Sequence, residues 1–116
     1  MPAHLTIGRR GEKIAAAYVR KYCQVLHQNW KYERKEIDIV ACSNACIYFI
    51  EVKTRSSGTF GWPEDAVDSR KKENILAAAD AYLLTYDLAP AMIRFDIIAI
   101  TFRGAAYELV HFRDVF

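Results

Sequence analysis

The chain has 116 residues and a mass of 13.3 kDa, the length of one ordinary domain and too short for two. With 53% hydrophobic and 26% charged residues it is not a disordered chain, and no unbroken apolar run exceeds six residues, against the ~18 that a membrane span requires. The formal charge of +2 hides an asymmetry: residues 1–35 carry eight Lys/Arg against Glu12 and Glu33, a local +6, and residues 36–116 carry a local −4.

Ile7, Gly11, Ile14, Ala15, Tyr18, Val19 and Tyr22 fall on one face of a helix, with Thr6 as its N-cap. Leu26, Trp30 and Tyr32 keep a period of two and predict a first strand, ending in the polar stretch YERKE. Glu36–Ala41 and Cys46–Lys53 read as the two strands of a hairpin that turns around Ser43-Asn44. Thr54–Pro63 reads as a loop, on its two glycines, two serines and final proline. A second helix follows, capped by Asp68 or Ser69, with Ile75, Leu76, Ala79, Tyr82, Leu83 and Tyr86 as its buried stripe. Ile93–Thr101, a turn at Arg103-Gly104 and Tyr107–Phe112 complete the order αβββαββ. The expected fold class is α/β, a mixed sheet flanked by helices, in one domain spanning residues 1–116.

Cys23, Cys42 and Cys46 are too few for a four-thiolate zinc site and odd in number for a disulfide framework. The stretch MPAHLTIGRR has no apolar core of a secretory signal. Both features predict a reduced cytoplasmic protein with no membrane partner. His4, His27 and His111 have no metal-ligand spacing and read as incidental.

Chemistry concentrates around the hairpin. Glu51 and Lys53 share a strand face, because strand side chains alternate, and they close an apolar run where unpaired charge is costly. With the turn between residues 43 and 46, Asp38 lies opposite Glu51, with Cβ atoms about 5 Å apart. Two carboxylates that close repel unless a cation sits between them, and Mg²⁺, a hard ion that takes carboxylate oxygens, is the natural candidate. Lys53 could then orient or deprotonate a water, or neutralise phosphoryl charge. Glu36 shares the face of Asp38 and could add a third carboxylate. The competing reading is a structural Glu51–Lys53–Asp38 ion-pair network. Glu12 has only Gly8, Ala15 and Ala16 as helical neighbours, so its carboxylate lies where the helix can approach another backbone or a ligand closely. The competing reading there is an exposed Glu favoured by the helix dipole. Phe60 and Trp62 could stack on a base or anchor their loop. The cluster Arg70-Lys71-Lys72 stands in a first helical turn, where cations are disfavoured, and so calls for a local reason.

A Glu in the first helix, an Asp on the second strand and E-x-K on the third is the layout of the PD-(D/E)XK nucleases. The wording G8-R-R-G11-E12-x-x-A15, N29…E36-I-D38, F49-I-E51-V-K53-T-R55, F60-G61-x-P63-E64-x-A66-V67 and R94-F-D96 resembles the YraN family, small proteins similar to archaeal Holliday-junction resolvases. The resemblance runs from Gly8 to the C-terminal HFRDVF. It implies a restriction-endonuclease-like sheet, with Asp38 and Glu51 as ligands of Mg²⁺ or Mn²⁺, Lys53 as the catalytic lysine and Glu12 as an acid beyond the metal. It also matches Arg55 and Lys71 to usual family positions. Lys35 departs from the pattern, standing where a glycine usually precedes E-I-D; a positive φ there would strain the strand that carries Asp38. Lys31 and Val115 depart too, for an arginine and an alanine.

The activity this implies is metal-dependent cleavage of DNA phosphodiesters, on branched or damaged DNA, with Arg9, Arg10, Lys13, Thr54, Arg55 and Lys71 against the backbone. A homodimer follows by analogy, since a four-way junction offers two equivalent strands. The alternatives are a non-catalytic nucleic-acid-binding module working through a partner and, more remotely, a metal-independent structural domain.

Overall fold

Two largely apolar segments, Ile47–Val52 and Phe95–Ile100, lie side by side at the centre of a sheet, as continuous apolar runs do when both faces are covered. A computed structural model describes residues 3–56 and 69–116. They form α1 (Ala3–Arg20), β1 (Gln24–Tyr32), β2 (Lys35–Ser43), β3 (Cys46–Ser56), α2 (Ser69–Thr85), β4 (Met92–Arg103) and β5 (Ala106–Phe112), the expected order. The five strands lie in the order β1-β2-β3-β4-β5. Three pairings are antiparallel, while β3 and β4 run parallel from Cys46↔Met92 to Ser56↔Phe102. Ala15, Ala16 and Val19 of α1 pack with Ile39, Ala41, Ile50, Ile98 and Ile100 on one face of the sheet. On the other face, Ala78, Ala79 and Tyr82 of α2 pack with Ile37, Val40, Ile47, Phe49 and Phe95.

Several boundaries differ from the sequence reading. α1 begins at Ala3, before the Thr6 read as its cap, because nothing from Ala3 to Thr6 stops a helix. Tyr22 lies beyond the helix, in a turn closed by Lys21 N–H to Tyr18 O (3.2 Å) and Tyr22 N–H to Val19 O (3.0 Å), and is 70% exposed. Thr54, Arg55 and Ser56 continue β3 rather than opening a loop, since β4 offers parallel partners as far as Phe102. The rest of that loop, with Phe60 and Trp62, and the helix cap Asp68 lie outside the described residues. On α2 the exposed Leu76 and Tyr86 give way to Ala78 on the buried stripe, because two adjacent alanines let the helix settle closely on the sheet. The hairpin turn is Asn44-Ala45, both with positive φ (49° and 65°), as a two-residue primed turn requires. All three cysteines are free thiols.

Asp96 is the one buried charged side chain among the described residues. Its Oδ1 accepts from Arg94 Nε (2.9 Å) and Asp114 N–H (3.0 Å), and its Oδ2 from Arg94 Nη2 (2.8 Å) and His111 Nε2 (2.7 Å). A carboxylate only accepts, so His111 Nε2 donates to Asp96, and its Nδ1 lies 2.9 Å from the Tyr18 hydroxyl. His27 is also engaged, with Nδ1 2.7 Å from the Tyr82 hydroxyl, so neither histidine is incidental. Burial opposes the Asp96 charge, but the bonds from His111, Arg94 and Asp114 outweigh it and hold the carboxyl down at about 2, below the usual 3.8. A depressed folded-state value stabilises above the unfolded value and is lost as the pH falls through the window from about 4 to about 2. Wild type should therefore lose about 2 kcal/mol of unfolding free energy to this group between pH 5 and pH 2, read by urea denaturation. Asp96→Asn should abolish that portion of the pH dependence while being less stable at pH 7.

Candidate functional site

The site begins where α1 crosses β3. A Cβ on Gly11 would overlap Thr54 Oγ1 and stand 3.0 Å from Thr54 Cγ2, so the crossing tolerates only glycine. Alanine favours a helix by about 1 kcal/mol over glycine, but the overlap costs about 1–3 kcal/mol, so Gly11→Ala should destabilise the fold and lift Glu12 from the sheet. Gly8 has nothing within 4 Å, and Gly8→Ala should be neutral or stabilising. Denaturation of both variants checks this, with a Gly11→Ala as stable as Gly8→Ala counting against the close crossing.

The second contribution is a break in the sheet. Asn29 has φ 51°, a left-handed conformation that asparagine tolerates. It lies level with Asp38, between the pairs Gln28↔Ile39 and Trp30↔Ile37. Side-chain alternation in β2 fails at this point: Ile37 and Val40 join the α2 core, whereas Ile39 and Ala41 join that of α1. The β2–β3 ladder stops at Ile39↔Ile50, and Val52 N–H instead donates to Asp38 Oδ2 at 2.7 Å. A strand that changes face can present Asp38 toward Glu12 on one side and Glu51 on the other.

Glu12, Glu36 and Asp38 each bring one carboxylate oxygen within 4.8 Å of the others. Asn29 Nδ2 lies between them, 3.1 Å from Glu36 Oε1 and 3.4 Å from both Glu12 oxygens. Burial pushes the Asp38 carboxyl up to about 7; Glu12, Glu51 and Glu36 add to the rise, and the Val52 N–H opposes it. Glu51 stands outside this triangle. Its Oε1 accepts Lys53 Nζ and Lys71 Nζ, each at 3.1 Å, and its Oε2 is buried with no hydrogen-bond partner among the described residues. Burial lowers the Lys53 value below that of an ordinary lysine; Lys71 adds to this and Glu51 opposes it. For Lys71, burial is outweighed by Lys53 and Glu51, and the value rises.

The structure thus gathers Glu12, Glu36 and Asp38 at one point and Glu51, Lys53 and Lys71 at another, with Asp38 in the electrostatic reach of both. The direct Asp38–Glu51 pair expected across the hairpin is replaced by this double arrangement, because the ladder ends one residue short of it. Lys71 supplies the local reason for a cation in the first turn of α2, and Lys72 lies 5.5 Å over the Phe116 ring. Asn29 belongs to the site although the residue pattern alone gave it no role; its signal was its place in the motif N29…E36-I-D38 that carries the family resemblance. Arg9, Arg10 and Lys13 are exposed on α1, with the Arg10 guanidinium 4.6 Å over Phe102. Thr54 packs under Gly11, and Arg55 is half-buried in β3. The positive φ near the β1–β2 turn falls on Glu33 (56°); Lys35 is a regular strand residue paired with Tyr32, so the feared strain before Asp38 does not arise there.

All the converging donors are carboxylate oxygens, the set a hard divalent cation takes, and the partnerless Glu51 Oε2 is a buried acceptor that a cation would satisfy. The residues present therefore fit Mg²⁺ or Mn²⁺. No helix among the described residues is long and apolar enough to cross a membrane.

Residues 11–100 match the family described as "Uncharacterised protein family UPF0102". A UPF0102 protein of Chlorobium phaeobacteroides is 42% identical over 117 aligned positions, covering 95% of this chain and 92% of its own length. One from Phocaeicola vulgatus is 39% identical and covers 100% and 96%, and one from Syntrophotalea carbinolica is 41% identical and covers 97% and 92%. With a family match over most of its length and relatives aligned nearly end to end, the chain belongs to the UPF0102, or YraN, family.

Proposed function

We propose that the protein is a metal-dependent DNA endonuclease that hydrolyses phosphodiesters, with branched or damaged DNA as its substrate. The observation that carries this reading is the convergence of Glu12, Glu36 and Asp38 beside a Glu51–Lys53 pair whose second carboxylate oxygen has no partner. Asp38, Glu51 and the flanking Glu12 and Glu36 would hold the cation. When bound, Mg²⁺ or Mn²⁺ supplies a water of lowered pKa and a Lewis-acid contact to a phosphoryl oxygen. Lys53, held 3.1 Å from Glu51 and with its value lowered by burial, is suited to orient an attacking water and take a proton from it; as an ammonium it neutralises charge developing on phosphorus. Lys71 shares Glu51 and keeps a positive charge beside Lys53 throughout. Arg9, Arg10 and Lys13 line the exposed side of α1 near Glu12, where they can track a phosphate backbone.

A second reading, a DNA-binding module without turnover, is favoured by one feature: Lys53 and Lys71 already neutralise Glu51 without any cation. One experiment separates the two. Single-stranded, duplex, flapped and four-way DNA are incubated with the protein, with Mn²⁺ or with chelator, beside binding measured over a salt series. Metal-dependent cleavage of at least one form is expected, with a binding slope near −2.7 in log K against log salt if about three duplex phosphates are contacted. Charge reversal at Arg9 and Arg10 should flatten that slope. Binding without cleavage of any form selects the module, and no binding at ~50 mM salt by a folded protein excludes both readings.

A further inference from the structure

The motif R94-F-D96 is not used by the carboxylate site, yet it builds one wall of a second cavity. This cavity, of about 260 Å³, lies on the α1 side of the sheet toward the start of β3. Arg94, Arg113, His111, Tyr22, Tyr48 and Ser43 line it. Its volume is at the small end for ligand pockets, enough for a phosphate with part of a nucleoside. Arg94 is fixed from two sides: Asp96 grips its Nε and Nη2, and its guanidinium lies 4.5 Å over the Tyr48 ring. Those two bonds use two of the five guanidinium N–H groups and leave three for a ligand. Asp96 itself accepts four bonds, so its charge is spent on organising the wall rather than repelling an anion. One of those bonds, from Asp114 N–H at φ 54°, fixes the turn that follows Arg113. Tyr22, 70% exposed at the rim, offers a ring face on which a base can stack. Arg20 at the end of α1 and Lys21 after it stand just before Tyr22, and Arg113 lines the cavity, so further basic residues accompany Arg94.

We propose that this cavity is a phosphate-binding site for a DNA strand, with Arg94 and Arg113 on the phosphate and Tyr22 beneath a neighbouring base. The inference deepens the DNA reading above and rests on it only for the class of polymer. Tyr48 lies three residues before Glu51 on β3, so the two side chains leave opposite faces of the strand: Tyr48 joins the α1 side with Ile50, whereas Glu51 pairs with Lys71 of α2, and this cavity is a phosphate site separate from the carboxylate site. The phosphate has two sources, a phosphorylated 5′ end or an internal phosphodiester.

The test is titration of the full chain in chelator with three probes: inorganic phosphate, a 5′-phosphorylated dinucleotide, and the same dinucleotide lacking its terminal phosphate. NMR shifts of the Tyr18, Tyr22 and His111 rings are the readout. Saturable shifts of these rings are expected, and the ranking of the two dinucleotides assigns end or internal phosphate. Arg94→Gln leaves Asp96 short of donors and endangers the fold, so the deciding variants are the exposed Arg113→Gln and Tyr22→Ala. Arg113→Gln should weaken all phosphate probes about tenfold or more, as loss of a charge-assisted bond does. Tyr22→Ala should weaken only the dinucleotides. Rings unmoved by millimolar probe, or equal affinity in Arg113→Gln, overturn the proposal. Because no divalent ion is present, failure here leaves the carboxylate reading intact, and loss of metal-dependent cleavage leaves this site intact.

Discussion

Lys53→Met should lower the single-turnover rate of metal-dependent DNA cleavage by roughly 10²–10³, about 3–4 kcal/mol, with metal affinity nearly unchanged. Methionine keeps most of the lysine stem, so β3 should still pack, and the carboxylate triangle does not include residue 53. Lys71 remains on Glu51 and preserves one of its two ion pairs. DNA affinity should change far less than the rate, because at most one phosphate contact among several is lost. The comparison is cleavage beside binding for both proteins under the same Mn²⁺. A variant that cuts as fast as an active wild type would remove Lys53 from the mechanism. Lys71→Met serves as the companion: it removes a neighbouring ammonium that lowers the Lys53 value, and so should move the limb of the pH–rate profile that reports Lys53 to higher pH.

Removing the Asp38 charge should have the opposite effects on stability and on metal binding. In the folded protein the carboxyl titrates at about 7 rather than 3.8, because it is buried among other carboxylates. Between those values the folded state holds a proton that the unfolded chain releases, so stability falls as the pH rises through that window. Asp38→Asn keeps an acceptor for Val52 N–H and removes the repulsion. The metal-free variant should therefore be more stable than wild type at pH 8 and indistinguishable near pH 4. The gain should be about 2 kcal/mol, below the roughly 4 kcal/mol of the full shift, because a partly exposed carboxylate is screened. Mn²⁺ at a hundred times its dissociation constant should return about 2.7 kcal/mol to wild type. Asp38→Asn/Glu51→Gln should gain nothing from Mn²⁺. Denaturation at the two pH values, with and without Mn²⁺, reads all of this, and a doubly substituted protein that binds Mn²⁺ like wild type would dismiss the site. A gain in stability on losing a charged residue is the behaviour of a position held for function rather than folding.

The sequence alone determined the element order and the identity of the acids and lysines. Helix and strand periodicity and the E-x-K spacing are local, set by chain geometry within a few residues of each position. Glycine at position 11 beside Glu12 was legible for the same reason: a missing side chain announces a close approach, and Thr54 is what it meets. Tertiary structure decided how those residues group. The φ of 51° at Asn29 and the lost alternation at Asp38 are cooperative properties of two paired strands, and no single-strand pattern contains them. They bring Glu12 and Glu36 to Asp38 and leave Glu51 with two lysines, one of them from a helix 18 positions further along the chain from Lys53. His111 looked incidental because its partners, Tyr18 and Asp96, lie 93 and 15 residues away, and only the packing of α1 against β4 and β5 joins them. Contacts between distant residues depend on how the elements stack, which the residue spacing along one chain does not encode.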